Sequence, residues 1–367
     1  MFALYVVFCI SAGTQSVPAL LEVRRVMGSR KNRRRLSIII PTFNGATRIG
    51  NCLEALLPQA ERHAANVLVI DDGSVDQTAE VVKRYHNVRL IGQPNAGPAA
   101  ARNRGAAEAL GEVIVFIDDD CVPAPKWLDA MLQAFNDSDV VGAKGVYRTR
   151  QRNVIARFVQ IEYEDRYRRM KKQRYIDFVD TYSAAFLRER FLETEGYDTS
   201  FPVACAEDAE LSYRMSTRGW KMKFVPDAVV SHTHPATVVG YLKKKYKFAY
   251  WRMLALRKTP KKGLKDSHTP QLMKLQLFFM PALLISLIFD LTGRSLWPSA
   301  VVAAAFLISA MPFVIRAAMK DPLVGLVSPL LLVMRSSAQL LGVVAGLMYV
   351  RRCSQLEPRQ SETRPAA

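Results

Sequence analysis

Short runs of apolar residues alternate, between residues 36 and 117, with stretches whose apolar residues recur every three to four positions. The runs predict four buried strands, at 36–40, 67–70, 88–91 and 113–117. The stretches between them predict three helices, at 46–58, 75–85 and 97–110. Apolar strands that alternate with helices are typical of a mostly parallel sheet with helices on both faces, so the predicted fold class is α/β.

Two apolar stretches near the C-terminus are long enough to cross a bilayer as helices. Residues 296–315 contain no charge, and residues 275–291 contain only one, on Asp290. About 20 apolar residues span the hydrocarbon core as a helix. The short segment between the two stretches suits a tight hairpin, so we expect a transmembrane pair here.

A third apolar stretch, 323–350, contains Arg335 near its middle. Because an arginine in lipid is costly, we expect one of its two arms to be interfacial or re-entrant. Gly342 and Gly346, four residues apart, permit close helix packing.

Basic residues flank the α/β segment on both sides. Seven lie within 24–35, and eleven lie within 243–274, where Asp266 is the one acidic residue. The positive-inside rule therefore predicts a multi-pass protein of the cell (inner or plasma) membrane, with the α/β segment in the cytoplasm. Residues 2–21 carry no charge and are interpreted as a marginal anchor or an interfacial helix.

The composition narrows the class of protein. Apolar residues make up 50% of the 367-residue chain, which is too many for a disordered protein. The 51 basic and 33 acidic residues give a formal charge of +18, which favours nucleic acid, an acidic membrane surface or a phosphorylated substrate as partner. The five cysteines are scattered and form no Cys-x-x-Cys pair, so a zinc module or a disulfide framework is not expected.

Polar and charged residues lie just after three of the predicted strands and in the third predicted helix. These residues are Thr42, Asp72, Arg102, Asp118 and Asp120. Ligands bind at the carboxyl ends of the strands in such sheets, so we expect these side chains to converge on one site. Crowded carboxylates repel one another unless a cation lies among them, and oxygen ligands suit Mg²⁺ or Mn²⁺.

Three further residues lie beyond residue 200. Asp208 lies at the start of a predicted helix, where the backbone favours negative charge and keeps the carboxylate ionised. It is either a base or a helix cap. His232, after another apolar run, could give a neutral nitrogen ligand to the same metal, and His234 is a weaker candidate.

The ordered set of motifs PTFN, DDGSVD, NAGPAAARNRG, VIVFIDDD, AEDAELSYRMSTRGW and VPDAVVSH resembles the inverting glycosyltransferases of family 2. The resemblance extends over roughly residues 36–234. It implies the GT-A fold, a Rossmann-like nucleotide-diphospho-sugar transferase domain. The membrane-bound branch of that family also carries C-terminal transmembrane helices.

The resemblance also implies roles for the candidate residues at the donor. Thr42 and Asp72 would contact the nucleotide, and Asp72 would contact its nucleobase. Arg102 would lie near the nucleotide, and Asp118 would reach the ribose. These four residues would bind a UDP- or GDP-sugar.

The remaining candidates are assigned to the metal and to catalysis by the same resemblance. Asp120 and His232 would bind a divalent cation, Mg²⁺ or Mn²⁺, that bridges the diphosphate. Asp208 would be the general base that removes the proton of the attacking hydroxyl.

The predicted function is therefore a metal-dependent inverting transfer of a sugar to a hydroxyl of a lipid-linked or cell-surface glycan acceptor, in cell-envelope polysaccharide synthesis. The processive synthases of the family carry a Gln-x-x-Arg-Trp motif, which residues 243–252 lack, so the enzyme is expected to be non-processive. One alternative is a polyprenyl-phosphate sugar transferase, whose ionised acceptor needs no base. Another is a basic nucleic-acid-binding membrane protein, but the basic clusters border apolar segments, so no nucleic acid is expected.

The predicted organisation has five parts. They are an N-terminal anchor or interfacial segment with a basic linker (1–35), the GT-A domain (36–240), a basic juxtamembrane linker (241–272), transmembrane or interfacial helices (273–350) and a disordered tail (351–367). The basic, aromatic-rich residues 152–174 inside the GT-A domain either touch lipid phosphates or form an exposed helix.

Overall fold

The computed structural model describes residues 35–201, 205–263, 266–267, 269–293 and 297–356, with side chains as far as Arg352. The predicted N-terminal anchor, 2–21, and most of the predicted tail lie outside these residues.

The first half of the domain alternates strands and helices as the apolar pattern predicts. Its elements are β1 (Leu36–Thr42), α1 (Ile49–Arg62), β2 (Asn66–Asp71), α2 (Thr78–Lys83), β3 (Val88–Gly92), α3 (Pro98–Glu108) and β4 (Val113–Ile117). These four strands are parallel to one another, in the order β3-β2-β1-β4. Their carboxyl ends therefore meet at one edge of the sheet.

The second half of the domain extends the sheet and adds longer helices. Its elements are β5 (Val122–Pro123), α4 (Trp127–Gln133), β6 (Val140–Arg148), α5 (Val154–Met170), β7 (Ser183–Leu187), α6 (Arg188–Glu193), α7 (Glu207–Thr217), β8 (Lys221–Ser231) and α8 (Val238–Lys258). Short 3₁₀ turns occur at Ala134–Asn136 and Pro260–Gly263. Three long helices follow, α9 (Gln271–Gly293), α10 (Trp297–Lys320) and α11 (Pro322–Leu356).

The complete sheet has eight strands in the order β3-β2-β1-β4-β7-β6-β8-β5. Strand β7 is antiparallel to both β4 and β6, whereas β8 is parallel to β6. Alternate residues of β1 enter different cores, with Ile38 and Ile40 in one and Ile39 in the other. Both faces of the sheet are thus covered, which explains why its strands are apolar throughout and confirms the predicted α/β class.

The three C-terminal helices are long and apolar enough to cross a membrane. Many of their large apolar side chains are exposed, such as Ile285 and Phe289 on α9, Ile308 on α10 and Leu326 on α11. Exposed apolar surface on this scale marks contact with lipid or with another protein.

Helix α11 differs from our expectation, because it is one continuous helix and not two arms divided at Arg335. The side chain of Arg335 is only 6% exposed. Its guanidinium donates to Glu162 Oε1 on α5 at 2.9 Å and to Gln276 on α9. A buried carboxylate partner removes the reason for the helix to break at this arginine.

Helix α5 connects the α/β domain to the apolar helices. Its apolar residues Ile155, Phe158, Val159 and Ile161 share one core with residues of α9, α10 and α11. The helix inside the basic segment 152–174 is therefore not an exposed helix, which was one of the two readings of this segment.

Charged side chains at the same boundary pair across it. Arg157 of α5 contacts Asp321 at 2.5 Å, and Asp165 of α5 contacts Arg316 of α10 at 2.8 Å. The α/β domain and the apolar helices therefore share both an apolar core and ion pairs.

Gly342 and Gly346 lie where α11 crosses α8. A Cβ atom at Gly342 would overlap the backbone carbonyl oxygen of Tyr246, and one at Gly346 would overlap that of Tyr250. The two glycines therefore let α11 pack directly on the backbone of the basic helix α8, as their spacing predicts.

We predict that Gly342→Ala destabilises the protein by about 1–3 kcal/mol, because the new methyl group overpacks this crossing. The matched control is Gly50→Ala in α1, where the nearest atom to a new Cβ is Tyr85 Oη at an ordinary 3.5 Å. Thermal unfolding of the detergent-purified protein should show a lower midpoint for Gly342→Ala only. Equal midpoints for the two variants would contradict the packing described here.

Candidate active site

The end of β1 is tied to the three aspartates that follow β4. The hydroxyl of Thr42 donates to Asp119 Oδ2 at 2.6 Å, and Arg48 Nε donates to Asp119 Oδ1 at 2.9 Å. Asp119, the middle aspartate, is therefore turned inward and holds the loop after β4 against β1. Neither Asp119 nor Arg48 is among the site residues predicted from the sequence.

Asp72 follows β2 and organises the loop before α3. Its Oδ1 accepts hydrogen bonds from Gln93 Nε2 at 2.7 Å and from the backbone of Ala96 at 2.9 Å. Its Oδ2 accepts one from the backbone of Gly97 at 2.8 Å, where φ is +90°. Glycine adopts this left-handed conformation without strain, so Asp72 and Gly97 together fix the start of α3.

Arg102 of α3 is buried between two carboxylates from different parts of the chain. Its Nη2 donates to Asp118 Oδ1 at 2.7 Å, and its Nη1 donates to Glu207 Oε1 at 3.4 Å. Burial alone would lower the pKa of Arg102, but the charges of Asp118 and Glu207 raise it above its usual value. A permanently charged guanidinium thus joins the end of β4 to the start of α7.

Asp120 and His232 lie side by side at the same edge of the sheet. Asp120 Oδ2 is 3.3 Å from His232 Nδ1, and the His232 ring stacks on Tyr147 with ring centroids 4.4 Å apart. Burial would raise the pKa of Asp120, but the hydrogen bond and charge of His232 lower it. The pair that the sequence analysis assigned to a metal is therefore brought together.

Cys121 is the third side chain at this position, with ligand atoms of all three residues within 4.8 Å of one another. Burial raises the pKa of the Cys121 thiol well above its usual value. Soft thiolate ligands suit zinc or copper, whereas carboxylate oxygens suit Mg²⁺ and Mn²⁺. The Asp120 carboxylate is therefore the ligand that best fits Mn²⁺ or Mg²⁺, with the His232 imidazole beside it as a nitrogen ligand.

Asp208 lies in the first turn of α7, after Ala206 in the left-handed conformation. Its Oδ1 accepts a hydrogen bond from the backbone of Ala209 at 2.7 Å. We expected the helix N-terminus to keep this carboxylate ionised. Burial outweighs that effect and raises the pKa of Asp208, so the group is a stronger base than an exposed aspartate.

A cavity of about 200 Å³ extends from Asp208 to the apolar helices. Apolar residues line it from three helices: Phe248, Met253 and Leu256 of α8, Met273 and Leu277 of α9, and Val343 of α11. Cationic residues line it as well: Arg166, Lys244, Lys245, Arg252 and Lys274. The cavity therefore suits a molecule that has an apolar part and a polar or anionic part.

Lys144 is a buried residue that the sequence analysis missed. It lies on β6, contacts the carboxylate of Asp180 and is 3.0 Å from Tyr182 Oη. Burial lowers its pKa. The sequence does contain a signal for Lys144, because a lysine inside the apolar run VVGAKGV would be buried and a buried lysine requires a partner.

His234 packs against residues of α5. Its ring stacks on Tyr163, and its Nε2 is 3.0 Å from Gln160 Oε1. Burial lowers the pKa of His234 to about 3, so this imidazole is neutral and ties the end of β8 to α5.

Residues 37–195 match the family model described as Glycosyl transferase family 2. Glycosyltransferase AglE of Haloferax volcanii is 29% identical over 222 residues, which are 57% of this chain and 70% of AglE. The pre-mycofactocin glycosyltransferase of Mycobacterium tuberculosis is 24% identical over 226 residues, 59% of this chain and 46% of that protein. The uncharacterized glycosyltransferase YibD of Escherichia coli is 34% identical over 110 residues, 29% of this chain and 32% of that protein.

Among solved structures, the mannosyltransferase PcManGT from Pyrobaculum calidifontis, in complex with GDP-Man and Mn²⁺, has a TM-score of 0.57. It is 21% identical in sequence and covers 89% of this chain and 94% of its own. The fold, together with the side chains at the carboxyl ends of its strands, thus defines a GT-A glycosyltransferase domain. Residues 37–195 therefore form a glycosyl transferase family 2 domain, as the sequence motifs predict.

We predict that Asp120→Asn and His232→Gln each weaken Mn²⁺ binding at least about tenfold, because each removes a ligand and even outer-shell changes cost 10–100-fold. Asp139→Asn is the matched control, since Asp139 is exposed and pairs with Lys221 away from the site. The electron paramagnetic resonance signal of free Mn²⁺, titrated with protein in the presence of UDP or GDP, measures the binding. Wild-type affinity in both site variants would contradict this metal assignment.

Proposed function

We propose that the protein is a metal-dependent, inverting and non-processive glycosyltransferase. It transfers a sugar from a nucleoside-diphosphate sugar to a hydroxyl of a lipid-linked or glycan acceptor at a membrane. The observation that carries this proposal is the cavity that extends from Asp208 to α8, α9 and α11. That cavity gives an amphiphilic acceptor a path to the Asp208 carboxylate, which lies next to the strand ends where the donor is proposed to bind.

The donor is proposed to bind at the carboxyl ends of β1, β2 and β4. Thr42, Asp72, Arg102 and Asp118 are proposed to contact the nucleotide or to shape its pocket. Asp118 keeps a side chain that is 25% exposed, although it pairs with Arg102. The bound GDP-Man and Mn²⁺ of the similar mannosyltransferase structure support a nucleotide sugar and a divalent cation here.

Asp120 and His232 are proposed to hold the cation. When bound there, Mg²⁺ or Mn²⁺ would neutralise the negative charge that develops on the diphosphate leaving group.

The acceptor hydroxyl is proposed to enter the cavity beside Asp208. Asp208 takes the hydroxyl proton, the oxygen forms a bond to the anomeric carbon, and the bond from that carbon to the diphosphate breaks. One displacement inverts the anomeric carbon. The raised pKa of Asp208 suits this role, because a base works best when its pKa approaches the working pH.

A second candidate acceptor is a polyprenyl or other lipid phosphate. Five cationic side chains line the cavity, including Lys244 and Lys245 of α8, and they favour an anionic group. A phosphate that is already ionised needs no base, so the two candidates differ in how much they depend on Asp208.

The membrane location is likewise a proposal. Three helices have the length and apolarity to cross a bilayer, and their apolar side chains are widely exposed. The excess of basic residues in 243–274 supports a cytoplasmic side for the domain, by the positive-inside rule. We propose the same division of the chain: 36–240 as the catalytic domain, 241–272 as the juxtamembrane linker, and 273–350 as transmembrane or interfacial helices.

We predict that the purified full-length protein, with Mn²⁺ or Mg²⁺, consumes at least one nucleotide sugar in a screen of UDP- and GDP-sugars. Release of UDP or GDP, measured with and without lipid extracts as acceptor source, identifies the donor. No release from any nucleotide sugar, with either cation, would contradict the proposed function.

With the donor known, Asp208→Asn separates the two acceptors. For a hydroxyl acceptor we expect a loss of about 10²–10⁴-fold in kcat, the usual contribution of a general base. The wild-type rate should fall as the pH is lowered, and this fall should occur above the usual pKa of aspartate because burial raises the pKa of Asp208. A nearly unchanged rate would point to a phosphate acceptor, and Asp139→Asn is the matched control.

A further inference from the structure

A second cavity, of about 320 Å³, lies where α5 meets the apolar helices. Arg166 and Met273 line both this cavity and the one beside Asp208. Five arginines from three helices line the second cavity: Arg166, Arg168 and Arg169 of α5, Arg316 of α10 and Arg335 of α11. We call it the arginine cavity.

Positive charge exceeds negative charge in the arginine cavity. Its two lining acids are Asp165 and Glu162. Asp165 is shared by three guanidinium groups, with contacts of 2.8 Å to Arg168, 2.5 Å to Arg169 and 2.8 Å to Arg316. One carboxylate cannot neutralise three cations, so the cavity attracts a further anion.

Two arginine donors here lack a partner. The Nε of Arg335 and the Nη2 of Arg169 are buried and have no hydrogen-bond partner among the described residues. Glu162, which accepts from Arg335, is also held by Lys245 at 2.8 Å, so its charge is shared as well. A buried charged donor without a partner is costly, and a phosphate has the several oxygens needed to satisfy such donors.

The remaining wall of the arginine cavity is apolar. Leu272 and Met273 of α9, Phe313 of α10 and Leu332 of α11 line it. These helices also carry the exposed apolar side chains described above. A ligand with an anionic head and an apolar tail therefore matches both the arginines and the surrounding surface.

We propose that the arginine cavity binds the phosphate group of an anionic membrane phospholipid. The bound lipid joins α5 of the catalytic domain to α10 and α11 through a phosphate shared by their arginines. The site adjoins the acceptor cavity, with which it shares Arg166 and Met273, and the lipid is not a substrate. This inference rests on the proposed membrane location and not on the transfer reaction.

The test measures lipid binding to the detergent-purified full-length protein by native mass spectrometry. The probes are phosphatidylglycerol, phosphatidylcholine with the same acyl chains, and inorganic phosphate. We expect phosphatidylglycerol to bind more tightly than phosphatidylcholine and to raise the unfolding temperature. Inorganic phosphate that binds as tightly as phosphatidylglycerol would mean a free-phosphate site and would overturn the lipid assignment.

Variants locate the binding site. Arg169→Gln and Arg316→Gln should each weaken phosphatidylglycerol binding about tenfold, as expected for the loss of one charged hydrogen-bond donor. Both side chains are partly exposed, so the variants should fold, and size-exclusion chromatography checks each one. Arg84→Gln, on an exposed arginine after α2, is the matched control and should leave lipid binding unchanged.

Two outcomes would overturn the proposal. The first is equal binding of phosphatidylglycerol to the wild type and to both arginine variants. The second is binding that is lost in Lys244→Gln but kept in Arg169→Gln, which would place the lipid in the cavity beside Asp208.

Discussion

The buried guanidinium of Arg102 is the interaction on which the arrangement of the site depends. It connects Asp118, at the end of β4, with Glu207, at the start of α7. The next residue, Asp208, is thereby placed beside the edge of the sheet. Breaking a buried ion pair by removing one partner typically costs about 3–5 kcal/mol, because the other charge is left without compensation. The donor edge and the carboxylate proposed as base are thus held in one geometry.

The second constraint is that the catalytic domain and the apolar helices share one core. Helix α5 contributes apolar side chains to that core and ion pairs at its rim, while α8 packs against the glycines of α11. As a result, the cavity that reaches Asp208 is walled partly by the domain and partly by α9 and α11. Its wall combines apolar side chains with cationic ones, which suits an acceptor that has an apolar part and an anionic part.

Much of this architecture was predictable, because strands that are buried on both faces are continuously apolar and can be recognised as apolar runs in the sequence. That Thr42, Asp72, Asp118 and Asp120 lie near one another was expected from the rule that parallel strands end at one edge. His232 entered only as a possible nitrogen ligand after another apolar run, and the resemblance assigned it to the metal. The sequence could not show that Asp119 turns inward, or that the arginine inside α11 finds Glu162 about 170 residues away. Such pairings depend on tertiary contacts that carry no local pattern. Motif resemblance suggested roles, but only the structure shows which side chains pair with these carboxylates.

We propose that a nucleotide-sugar site and a membrane-facing acceptor cavity meet at Asp208. A cryo-electron microscopy structure of the full-length protein in lipid nanodiscs, with Mn²⁺ and its nucleoside diphosphate, tests this most directly. We expect a metal in bonding contact with Asp120 and His232, and lipid density that extends from α8 and α11 to Asp208. A nucleotide bound away from the ends of β1, β2 and β4, or a cavity closed off from the bilayer, would contradict it.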